Sequence, residues 1–146
     1  MAITSAICNS FKQEILEAEH NFTASTGNTF NLALYTSSAT LNKSTTAYSS
    51  SNEITNSSGT AYSAKGKALT SVTPTLSTDT AVCDFADVSW TSASCPANGC
   101  LIFNDSHSTD AAVCAIAFGS DKTVTSGTFT IQFPTADASN AIIRIA

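Results

Sequence analysis

Two cysteines, Cys95 and Cys100, bracket Pro-Ala-Asn-Gly in the stretch SCPANGC, in a chain of 146 residues with five cysteines and two histidines. Three chemistries use a close cysteine pair. A structural zinc site needs four ligands, usually two short-spaced pairs. Cys8, Cys83 and Cys114 are scattered, and neither His20 nor His107 falls in ligand spacing, so no metal and no other cofactor is expected. A thiol oxidoreductase places its pair at a helix N-terminus, where the dipole favours the thiolate; this pair lies between two strand-like runs. The third chemistry is a staple. Pro96 and Asn98-Gly99 suit a four-residue hairpin loop, which would set Cys95 opposite Cys100 at a separation that a disulfide spans. The residues leave the oxidation state open, and a reducing compartment would keep both thiols free. Cys83 in AVCDF and Cys114 in AVCAIAF read as buried small hydrophobes.

Residues 104–110, NDSHSTD, put serine, histidine and aspartate side by side. Catalytic triads are assembled from separate parts of a fold, so this run reads as a loop between CLIF and AAVCAIAF. It also lacks the glycine and terminal glutamate of a calcium loop. Asp84 and Asp87, in CDFADVSW, have the residue types of a glycosidase carboxylate pair, but such a pair needs a defined separation across a cleft. The simpler reading is a strand kink with Phe85, Val88 and Trp90 inward and the aspartates in water. FGSDKTVTSG does not match a phosphate-binding loop. No catalytic residue is assigned.

The elements that would position these residues fall into two periods. Ile7, Phe11, Ile15, Ala18 and Phe22 recur at spacings of three and four with Lys12, Gln13, Glu14, Glu17 and Glu19 opposite, which predicts one helix over about 4–20. Thr4 or Ser5 can cap it. Glutamates late in a helix oppose its dipole, so fraying is expected near His20 unless something packs there. After Gly27 the period becomes two. In TFNLALYT, Phe30, Leu32 and Leu34 alternate with Asn31, Ala33 and Tyr35, predicting a strand with one core face and one mixed face. A polar stretch over about 37–59 follows, expected to be mobile in the free protein and tethered by Leu41, Tyr48 and Ile54. Further strands are expected in TAYSA, KALTSVTPTL, TAVCDF, DVSWT, CLIFN, AAVCAIAF, GTFTIQF and NAIIRIA, with turns at Gly66, Pro74, Asn98-Gly99, 105–110, Asp121 and Ser126-Gly127. Short strands in series with one terminal helix predict a single domain over 1–146, an antiparallel β-sandwich of jelly-roll or immunoglobulin-like type.

Composition limits the partners. Serine and threonine supply about three residues in ten, while charged residues are 12% of the chain. A net charge of −5 and a single arginine leave no basic patch to neutralise phosphates, so nucleic acid is not an expected partner. No apolar run reaches the roughly 20 residues needed to cross a bilayer. The first residues lack a secretory pattern, so synthesis in a cytoplasm is expected. Asn-x-Ser/Thr triplets at Asn21, Asn42, Asn56 and Asn104 are what so Asn-, Ser- and Thr-rich a chain produces by chance.

A resemblance adds what composition does not. MAITSAICNSFKQEILEAEHNF, then GNTFNLALYTSSATLN, TTAYSSSNEI and finally FGSDKTVTSGTFTIQFPTADASNAIIRIA resemble, in this order, a family of small proteins in the structural modules of tailed-phage genomes, including phages of cyanobacteria. The similarity is strongest over the last 29 residues and over the helix with the first strand. It is weaker around 77–110, so the Cys95–Cys100 staple is not inherited from it. The resemblance implies a virion component made in the host cytoplasm: a capsid decoration, or cement, protein that binds the major capsid protein as a homo-oligomer, with a tail or host-binding fibre protein as the alternative. On that reading Ile7, Phe11 and Ile15 are candidate partner-binding residues, packing against the domain or against a neighbour. A carbohydrate-binding or hydrolytic sandwich is disfavoured because no acid/base pair stands out and aromatic residues are 8%.

Overall fold

The computed structural model describes residues 2–55 and 61–146. Among them the elements run β1 (Ala6–Ile7), α1 (Asn9–Leu16), β2 (Phe30–Tyr35), β3 (Lys67–Ala68), β4 (Ser71–Ser77), β5 (Thr80–Phe85), β6 (Val88–Asn104), β7 (Ala111–Ile131) and β8 (Ile143–Ile145). They form two antiparallel sheets, ordered β1-β7-β6-β2-β3 and β4-β5-β8. The protein is mainly β, with one short helix near the N-terminus, consistent with the expected sandwich.

Alternation decides which side of β2 meets which layer. Phe30 stacks on Phe22 with ring centroids 4.2 Å apart and lies 5.9 Å from Phe85 of β5, so the Phe30, Leu32, Leu34 side faces the smaller sheet. The other side of β2 is also buried. Tyr35 pairs in register with Gly99, against which Ile3 packs, and Tyr48 stacks on Phe103 at 4.8 Å. The N-terminal segment and the polar stretch therefore cover the outer face of the large sheet. This replaces the expected mixed face with a second buried one.

That covering segment is tied down at named points. Leu41 and Ile54 are buried, as expected of tethers, and single bridges join Ile3 to Leu41, Tyr35 to Glu53 and Ala47 to Ala111. Glu53 is buried beneath it. Tyr48 and Tyr62 each donate a hydroxyl hydrogen bond to its carboxylate, at 2.5 and 2.7 Å, and the Tyr62 oxygen accepts the Leu34 N–H at 2.9 Å. Residues 56–59 of the expected loop, Asn56 of the triplets and Thr60 of TAYSA lie outside the described residues. Tyr62 and its described neighbours are not in a strand.

The helix is shorter than its periodicity suggests. Ala6 and Ile7 pair with Ala115 and Cys114 at the edge of β7, which claims the expected first turn for the sheet. Cys8 is the N-cap and makes no side-chain capping bond. Ala18 takes a left-handed φ of 61° beyond the C-cap Glu17, and the apolar series resumes only at Phe22. Phe11 is buried at 3% exposure, while Ile7 and Ile15 are half-buried against the same core. The helix packs its apolar side on its own chain, and Phe11 is not available to a neighbour.

The largest departure concerns the opening motif. DVSWT and CLIFN are one strand, β6, and AAVCAIAF and GTFTIQF are one strand, β7. Cys95 pairs with Val124 and Cys100 with Ile116 in the same ladder, so no hairpin turns at 96–99. Five residues of extended chain place the two Cα atoms about 15 Å apart, beyond the roughly 7 Å that a disulfide spans. The staple is therefore incorrect, and all five cysteines are free and buried. Gly99 serves packing instead of turning. A Cβ there would stand 2.6 Å from the Ile116 carbonyl oxygen and 2.8 Å from Ile3 Cδ1. The irregularity lies across the ladder in β7: Ala97 pairs with Lys122 and Gly99 with Ala117, so residues 118–121 bulge opposite Asn98. Gly119 supplies a φ of 78°, and Asn98 Nδ2 donates to Asp121 Oδ1 at 2.8 Å. Pro74 and Ser126-Gly127 likewise fall inside strands at register shifts. Gly66, with φ 67°, and residues 105–110 do turn the chain.

Candidate functional site

The hairpin joining β6 to β7 carries NDSHSTD, and its residues do not assemble as a triad. Ser106 Oγ accepts the Thr29 N–H at 2.8 Å. Asp105 and Asp110 both pair with Lys65, each at 2.9 Å, and those carboxylates push the Lys65 ammonium pKa up. The hairpin is instead clasped to the end of α1. His20 is buried, with Nε2 against Glu14 Oε2 at 2.8 Å and Nδ1 against Asn104 Nδ2 at 3.1 Å. Asn104 Oδ1 accepts the Ser106 N–H, which fixes the amide orientation. Nδ2 must then donate to His20 Nδ1, leaving His20 Nε2 to donate to Glu14. His107 bridges Glu19 Oε2 at 2.5 Å and Thr109 Oγ1 at 3.0 Å, and the two imidazoles stack at 6.2 Å. Residues 84 to 88 apart in sequence meet here. No periodicity signals this contact, since only the topology brings Asn104 and His107 under the helix end. The clasp explains why His20 is held in place after the helix has ended.

The aspartate pair divides. Asp87 accepts the Phe133 N–H at 2.8 Å and is exposed. Asp84 is buried at 2% exposure, contrary to the expected solvated position. Oδ1 accepts the Phe85 N–H at 2.8 Å, and the backbone N–H groups of Phe85 and Ile142 both favour the carboxylate. Burial raises its carboxyl pKa. The cysteines converge more than their spacing suggests. Cys8, Cys83 and Cys100 lie close enough to Cys114 for their charges to raise its pKa, although burial is the larger cause. Burial also pushes Cys100 and Cys83 up to about 12 and Cys8 up to about 11. These are protonated core side chains with no nucleophilic or ligating character. Among the described residues, no group of His, Cys, Asp or Glu has the arrangement to hold a metal ion, and no helix is long and apolar enough to cross a membrane.

The feature with the character of a binding site is apolar. Leu16, Leu76 and Ile145 are 88%, 75% and 58% exposed. Leu76 pairs in register with Ala81, and Ala81 with Ile145, so the three form one row across β4, β5 and β8 on a shared face. Beneath the row lies an apolar recess of about 100 Å³ lined in part by Ile15, Phe22, Pro74, Ala81 and Ile145. Leu16 is the neighbour of Ile15. The two sheets therefore open at this end onto a hydrophobic face framed by the helix terminus and the small sheet. Of the candidate partner-binding residues Ile7, Phe11 and Ile15, only Ile15 borders it; Leu16, Leu76 and Ile145 were missed. Leu16 stands outside the apolar series that predicts the helix, and the alignment of residues 76, 81 and 145 exists only through strand pairing. No protein-family model, curated protein or solved structure matches the chain.

Proposed function

We propose that this protein is a structural adhesion module of a tailed-phage virion, a capsid decoration protein that binds the shell built by the major capsid protein and stabilises it. The observation that carries the reading is the apolar row Leu76, Ala81 and Ile145, bordered by Ile15 at the end of a helix whose Leu16 is also exposed. Exposed apolar groups collected on one face mark an interaction surface. Burying each leucine or isoleucine contributes about 1.5–3 kcal/mol, and a symmetric shell multiplies modest contacts through copy number. The resemblance of the N-terminal and C-terminal stretches to small tailed-phage structural proteins supplies the setting. The homo-oligomeric state belongs to the same proposal, with copies arranged by the symmetry of the shell.

The test is binding to purified undecorated heads, followed by electron microscopy with copy-number determination and by heat rupture with and without the protein. Hundreds of copies per head and a raised rupture temperature are expected. Changing Leu16, Leu76 and Ile145 together to serine should abolish both effects. Few copies confined to the tail would move the assignment to a tail or fibre component, and no association with particles would refute the virion reading.

A further inference from the structure

We draw no further inference here: the strongest candidate, the apolar groove of about 490 Å³ lined by Cys100, Phe118, Phe129, Ile131 and Phe133, opens on a face of the large sheet, and nothing in the structure shows what covers it.

Discussion

At the scale of single residues, burial governs the ionisable groups. Asp84 has its carboxyl pKa raised by burial, against the opposing effect of the Phe85 and Ile142 N–H groups. A carboxyl whose pKa is raised by folding favours the fold in its protonated form. Its contribution is fully present below the ordinary value of 3.8 and is lost as the pH rises through the folded value. Asp84→Asn removes the titrating group and should therefore flatten that fall. Urea denaturation of both proteins across the acid-to-neutral range measures this; an unchanged pH profile would contradict it. The cysteines follow the same logic. With all five buried and protonated, a thiol reagent should modify none in the native protein and all five in denaturant. Mild oxidation should not join Cys95 to Cys100, which mass analysis after proteolysis checks.

At the scale of elements, short segments depend on what they pack against. An isolated helix of eight residues is unstable in water, so α1 exists because Phe11 lies against His20 and Phe22, with ring centroids at 4.9 and 6.0 Å. Phe11→Ala should cost about 3–5 kcal/mol, read by chemical denaturation, a large effect for a helix so small. Deleting residues 1–22 would also remove Phe22 from its stack on Phe30, so that deletion tests the fold and not partner binding. The covering segment is bound through the three tyrosines of the chain. Burial raises the phenol pKa of Tyr35, Tyr62 and Tyr48 alike, reinforced in each case by Glu53, and pushes Tyr48 up to about 12. A phenol with a raised pKa stabilises the fold below the ordinary value of 10.0, and that stability is lost as the pH rises through the folded value. Phenolate absorbance should stay absent as native protein is taken past pH 10.0 and then rise together with loss of the β signal. Independent titration of any of the three in folded protein would show that the segment is not clamped as described.

For the whole molecule, two sheets of unequal size leave part of the interior at the surface. The three-stranded sheet covers only some of a sheet whose central strands run 17 and 21 residues. Apolar side chains that would close a symmetric sandwich are exposed at Leu16, Leu76 and Ile145 or line a groove bounded by Ile116, Phe118, Phe129, Ile131 and Phe133. On the proposed reading the exposed three serve binding, and their exposure gives them little part in folding. Changing them together to serine should alter the unfolding free energy by less than about 1.5 kcal/mol, since surface substitutions are usually within 0.5 kcal/mol each. Equilibrium denaturation is the check, and a larger loss would mean that these side chains support the core.

What the sequence by itself determined is what depends on local pattern. The period-two runs identify β2 and β5, the polar residues 105–110 identify their turn, and Phe85, Val88 and Trp90 are buried where alternation puts them. Leu41 and Ile54 identify themselves as tethers because isolated apolar residues in a polar stretch need somewhere to be buried. Tertiary structure decided whatever depends on a partner strand or a remote side chain. Asn98-Gly99 has turn chemistry, yet the ladder to β7 carries it straight through, because Ile3 fills the space that a glycine leaves open. Leu16 has core chemistry, yet the helix ends before a neighbour reaches it. His20, Asn104 and His107 are scattered polar residues in sequence and a clasp in space. The candidate faces are of this second kind. A local period records which side of an element is apolar, while exposure of that side depends on how far the opposing layer extends, and the opposing layer is built from residues distant in the chain.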